Sequence, residues 1–253
     1  MKKLNTLIAV LIVIFAVSSI KSQTYPVPKW NVHVHGGYTY CLPDLKGDFP
    51  ADLTNGKNPT PYFIKNGFNG GADVKYFIDK KSTFGVMLAL TYSGLSSGDL
   101  VQSDTSLGAG TYRSNMNIFT IGVGAEYDFA PKRPANPFVN VQFTTNIFSG
   151  KTTFNATSGT SSSATLTSAA RFGAMFGAGV DVKLSKSMGI VVGGRYAFAN
   201  LFGKDSSATT STTYGLNDKE NAVTGEKSRK IAYLQFYAGV SFYFGLQKKS
   251  VTK

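Results

Sequence analysis

Cysteine and tryptophan each occur once among the 253 residues, and histidine twice. A lone cysteine, Cys41, rules out an internal disulfide framework and any cysteine-built zinc ribbon. Charge is scarce as well. Asp, Glu, Lys and Arg together make 16% of the chain, against roughly a quarter in an ordinary soluble protein, and this excludes a coiled coil. Past the N-terminus no apolar run approaches the roughly 20 residues that a membrane-crossing helix requires, which excludes a helical membrane protein. What the chain has in quantity is glycine, 27 residues, and aromatic side chains, 13% of the total. That composition points to an all-β protein.

The first residues read as an export signal. Lys2 and Lys3 supply a positive start, Leu7 to Val17 is an unbroken run of 11 apolar residues, and Ser22 is a small residue suited to cleavage. The run is too short to cross a bilayer as a helix. Residues 1–22 are therefore expected to be removed, leaving 23–253 as one domain. A single cysteine suits a chain that passes through an oxidising compartment.

The remainder is built of runs with period-two alternation, the mark of strands. Eight are expected: 30–40, 68–78, 84–92, 118–129, 139–147, 171–184, 189–198 and 231–244. Each is close to the 9 to 11 residues of a tilted, bilayer-crossing strand. Their connections alternate between short (79–83, 130–137, 185–188) and long, polar ones (41–67, 93–117, 149–170, 199–230). Two low-complexity stretches, 157–168 and 206–213, are expected to be mobile. The apolar faces of the eight runs hold no Asp, Glu, Lys or Arg. The opposite faces hold eight: Asp73, Lys75, Glu126, Asp128, Arg171, Asp181, Lys183 and Arg195. Those faces are otherwise small, with glycine at 71, 122, 124, 173, 177, 179 and 193, which suits a narrow interior better than a solvent surface. The apolar faces are expected to meet lipid. Aromatics gather at the run ends: Trp30, Tyr76, Tyr127, Phe242 and Phe244 at one interface and Tyr38 at the other, as girdle residues do.

Signal, eight alternating strands and the last run YLQFYAGVSFYF together resemble the eight-stranded outer-membrane barrels of the OmpA/OmpX/OmpW-like group. The resemblance implies an antiparallel up-and-down transmembrane barrel with short periplasmic turns and four long extracellular loops, located in the cell outer membrane. It also implies that the last strand, ending on Phe242 and Phe244, is read by the barrel-assembly machinery during insertion. One departure is that Gly245 to Lys253 follow the terminal aromatic. No peptidoglycan-binding domain is read in the chain.

The formal charge of +12 becomes +9 without Lys2, Lys3 and Lys21. The eight interior charges cancel, and most of the excess lies at the short-turn end: Lys29, Lys80, Lys81, Lys132, Arg133, Lys186, Lys248, Lys249 and Lys253. A nucleic-acid binder would carry its bases on one face with aromatics interleaved. Attraction to anionic membrane lipid is the expectation here, with no nucleic acid as partner and the chain a monomer.

Little points to chemistry. His33 and His35 share one strand face without a third donor at metal-binding spacing, and neither has a nucleophile beside it. Cys41 is an unpaired boundary residue, Asn155–Thr157 matches a glycosylation acceptor by chance, and the glycine motifs lie on strands with no helix after them. No metal, cofactor or catalytic residue is expected, and the chain is read as a non-enzyme. Asp73, Lys75, Glu126, Arg195 and His35 come within a few residue steps of one height and are expected to form a luminal ionic belt. Three roles stay open: a structural or surface-interaction barrel with a closed lumen, which is favoured; a narrow channel for small or apolar solutes, as OmpW-like members suggest; and an outer-leaflet lipid-modifying enzyme.

Overall fold

The computed structural model describes residues 25–46, 62–102, 109–206, 210, 212–220 and 228–246. The expected export signal and Lys248, Lys249 and Lys253 lie outside the described residues. Among the described residues the chain forms strands β1 (Trp30–Cys41), β2 (Asn66–Phe77), β3 (Phe84–Ser96), β4 (Leu100–Gln102), β5 (Gly110–Asp128), β6 (Ala135–Ala156), β7 (Ser162–Lys183), β8 (Met188–Phe202), β9 (Thr213–Tyr214) and β10 (Ala232–Phe244), with one helical turn, α1 (Pro43–Lys46).

Eight strands close on themselves. The hydrogen-bonded order is β3-β2-β1-β10-β8-β7-β6-β5, and β5 returns to β3. The short β4 and β9 add to β5 and β7 at the long-loop end. Following paired residues once round the ring leads from Trp30 through Tyr76, Val86, Ala125, Val141, Phe176, Tyr196 and Leu234 to Tyr40, ten residues further along β1. A stagger of that size over eight strands tilts them by about 40° and makes each residue climb roughly 2.5 Å along the axis.

The barrel is inside-out relative to a soluble sheet. Val34, Leu88, Val123, Phe143, Phe176 and Val192 are exposed on the outer surface. The eight charged residues of the polar faces are all buried and turned inward. This matters energetically, because outward apolar groups are stable only against lipid and inward charges only against one another. Trp30, Tyr76, Tyr127, Phe242 and Phe244 sit on the outer surface near the short-turn end, and Tyr38, Tyr40, Phe68 and Phe119 ring the other end. Eight to ten residue steps separate the two rings, or ~20–25 Å, close to the height of a barrel's lipid-facing band.

Two expectations are corrected. The stretch 149–170 is not a loop: β6 and β7 run on as a paired hairpin to Phe154 and Ser162. Ser162–Ser168, expected to be mobile low-complexity sequence, belongs to β7. Apart from the buried Leu166, this extension is exposed or half-buried on both faces, so the alternation that betrays a strand disappears while backbone pairing persists. In the same way β5 begins at Gly110 rather than at 118. Of the second low-complexity stretch, residues 207–209 and 211 lie outside the described residues, and Thr213 pairs with Thr165 in β9.

Candidate functional site

Among the described residues the fold concentrates buried polar and charged side chains in the lumen, which is filled by layers. Large side chains lie across glycines of neighbouring strands. Tyr237 pairs with Gly193, and a Cβ at Gly193 would stand 2.5 Å from the Tyr237 Oη. Phe138 faces Gly179 and Asn140 faces Gly177 in the same manner. Eight strands leave an interior just wide enough for side chains, so each bulky group takes the space its glycine neighbour vacates.

Five interior residues were expected to form one belt, and they fall into two groups. Arg195 donates to Asp73 through a guanidinium nitrogen, with His35 Nε2 3.4 Å from the same carboxylate and 3.3 Å from Arg195. The guanidinium also stacks over Tyr237, 4.5 Å from the ring centre. Lys75 donates to Glu126 instead, lies 4.5 Å from the ring centre of Phe138, and has His33 Nε2 at 3.4 Å. Glu126 takes a further bond from Asn140 at 3.2 Å. Sequence reasoning passed over the third group. Asp181 accepts from Asn31 at 3.1 Å and from the Ser241 and Tyr243 hydroxyls at 2.7 Å, with His33 at 3.5 Å. Its acidity and its inward face were legible, but its hydroxyl partners were not. Desolvating a charge costs several kcal/mol, and these carboxylates meet that cost through a base or through several donors.

Above the charges lies an amide and hydroxyl layer. Thr120 donates to Asn146 at 2.7 Å, Asn146 donates to Thr144 at 3.0 Å, and Gln235 donates to Ser93 at 2.9 Å. Higher still the lumen turns apolar. Leu95, Ile118, Phe148, Ala199 and Tyr233 point in from the strands, and Leu45 of α1 with Tyr62, Ile64 and Leu216 descends from the long connections to join them in one buried cluster. Cys41 is fully buried there.

Each mouth is crossed by chain. At the long-loop end Arg171 did not stay with the interior charges. Its guanidinium donates three bonds of 2.9 to 3.1 Å to Asp218, which also accepts from Asn200 at 2.8 Å and from the Asp205 amide at 3.1 Å. Burial alone would push the pKa of Asp218 up; the bonds from Arg171 and Asn200 outweigh it and hold the carboxyl below its usual range. Tyr62 caps the arrangement by donating to the Leu216 carbonyl at 2.5 Å. At the short-turn end, Tyr25–Pro28 runs beneath the ring. It leaves the foot of β1, and the Tyr25 amide donates to the Lys132 carbonyl at 3.0 Å in the turn between β5 and β6, on the opposite wall. Val27 and Pro28 are buried. Ser82 holds the Pro28 carbonyl at 2.5 Å, and Lys183 lies 6.0 Å from the Tyr25 ring centre while donating to the Pro131 carbonyl. Proline-rich and without period, this strap carried no sequence signal.

Among the described residues no group of three or more His, Cys, Asp or Glu is arranged to hold a metal. The aromatic expectations map to the outer surface, where Trp30 and Tyr76 meet at 4.7 Å and Lys29 lies 4.5 Å from the Tyr76 ring centre. In the β2–β3 turn Asp79 accepts from the amides of Lys81, Thr83 and Phe84 at 2.8 to 3.0 Å.

A closed eight-stranded antiparallel ring with charges inside and apolar groups outside defines a transmembrane β-barrel. Residues 21–203 match the family described as outer membrane protein beta-barrel domain, and the chain belongs to that family and to the cell outer membrane. It is similar in fold to the outer membrane protein OprG from Pseudomonas aeruginosa (12% identity, 88% of this chain and 98% of that chain, TM-score 0.47). It is likewise similar to Neisserial surface protein A (14%, 85% and 97%, 0.46) and to a major outer membrane protein from Thermus thermophilus (12%, 85% and 99%, 0.47). No curated protein matches the chain in sequence.

Proposed function

We propose that this barrel is a closed scaffold that acts through its external loops and hairpin extension, and not by passing solutes through its lumen. One observation carries the reading: the interior is occupied from end to end, by the strap and ionic groups below and by an apolar plug with pinned loops above. The ionic groups would bar apolar solutes and the plug would bar ions, so each obstacle excludes what the other tolerates. The β5–β6–β7 extension then serves as the raised surface that meets the exterior.

The test is reconstitution of the purified protein in planar bilayers and in dye-loaded vesicles. The expected result is no steady conductance and no release of small solutes. A large, steady conductance or solute flux would overturn the proposal in favour of a narrow channel.

A further inference from the structure

The short-turn end carries six bases outside the lumen among the described residues. Lys29 lies at the foot of β1, Lys80 and Lys81 in the β2–β3 turn, Lys132 and Arg133 in the β5–β6 turn, and Lys186 in the β7–β8 turn. The foot of β1 and each of the three turns at that end thus contribute at least one base, while the foot of β10, Gly245 and Leu246, adds none among the described residues. Five are exposed, and Lys29 lies over Tyr76. Among the described residues none of the six is held in an ion pair. The one acid outside the lumen at that end among the described residues, Asp79, has both oxygens engaged by the backbone of its own turn. The long-loop end is different: Asp99 pairs with Arg113, Asp218 with Arg171, and Asp44 accepts the Lys230 amide. Lys46, Lys65, Lys151, Lys204 and Lys230 stand in no ion pair at that end either, but among the described residues Asp44, Asp99, Asp205, Asp218 and Glu220 lie among its bases.

Depth decides what answers it. The bases lie one to four residues beyond Trp30, Tyr76, Phe84 and Phe129, and Lys186 two beyond Met188, which pairs with Phe242; these aromatics rest at a headgroup boundary. A base a few residues beyond such a ring, on a turn that leaves the lipid-facing band, is within side-chain reach of phosphate. We propose that this rim binds the anionic phospholipid headgroups of the periplasmic leaflet, with a phosphate seated at each basic turn.

Spin-labelled phosphatidylglycerol and phosphatidylcholine in phosphatidylcholine vesicles containing the whole protein measure the preference of the lipids touching the barrel. One base beside one phosphate predicts about a fivefold preference for phosphatidylglycerol. Gln at Lys80, Lys81, Lys132, Arg133 and Lys186 together should bring it to parity. So should about 1 M salt on the unaltered protein, where the screening length is ~3 Å. The double variant Lys80→Gln/Lys81→Gln, which spares three segments, should fall between, and it keeps the test usable if the fivefold variant does not fold. Lys46→Gln/Lys151→Gln, at the other end, should change nothing. Parity in the unaltered protein, or a preference surviving both salt and the rim substitutions, would overturn the proposal, as would an equal loss on altering Lys46 and Lys151.

Discussion

The lower and upper halves of one lumen solve the same packing problem with opposite materials. Below, Arg195, Asp73, Lys75, Glu126 and Asp181 fill the space with charge, and each requires a particular partner at hydrogen-bond distance. Above, Leu95, Ile118, Phe148 and Leu216 fill it with hydrocarbon, which is indifferent to direction. A half built from directional pairs has one arrangement. A half built from apolar contact can admit side chains from the long connections, as it does with Leu45 and Leu216. The difference suits an end closed by short turns and an end whose long connections fold inward.

The sharpest way to break this comparison is to strand a charge. Arg195→Met leaves Asp73 buried without its base and should cost about 3–5 kcal/mol, read from the urea midpoint of the folded, heat-modifiable form. Adding Asp73→Leu should recover most of that loss. A single variant within ~0.5 kcal/mol of the parent, the range of ordinary surface changes, would mean the lower half is as forgiving as the upper. In the plug, Leu216→Ala should cost about 2 kcal/mol, the low end for a buried leucine because its loop can settle into the gap. Its signature should be faster proteolysis of the external loops with ring closure intact.

A finer contrast sets inside against outside. Gly193→Ala would drive a methyl into Tyr237 and should cost about 1–3 kcal/mol. Gly36→Ala, on the lipid face with its nearest neighbour 3.6 Å away, should stay within ~0.5 kcal/mol. The smallest effect is that of pH on the upper mouth. Asp218 is more acidic folded than unfolded, so its contribution is complete above its unfolded value near 4 and fades as pH falls through the lower, folded value. Loop proteolysis should therefore rise only in strong acid. Asp218→Asn should raise it at neutral pH, and an acid-induced rise of the same size in that variant would remove Asp218 from the account.

Legibility followed the solvent. Wherever one strand face met lipid and the other the lumen, alternation was strong, and the inward placement of all eight charges could be read from it. Where both faces are largely open to water, as in Lys151–Ala156 and, Leu166 apart, Ser162–Ser168, alternation vanishes and a strand reads as a loop. Ile118 beside Phe119, and Ile147 beside Phe148, are apolar on both faces at a strand's upper end. That doubled signal marks the plug and was available. The Arg171–Asp218 pair was not, because a loop acid 47 positions away obeys no period. Nor was the division of the belt: heights brought Arg195 near both Asp73 and Glu126, and only side-chain reach assigned Glu126 to Lys75.

The strap beneath the barrel has a consequence for the order of events in biogenesis. Tyr25 docks on a turn across the ring from its own strand, and β1 also supplies the seam with β10. Until that seam is zipped, the two anchor points are not held at a fixed span. The expected consequence is that the strap resists a protease acting from the periplasmic side only once the β1–β10 seam has closed and set the curvature of the ring.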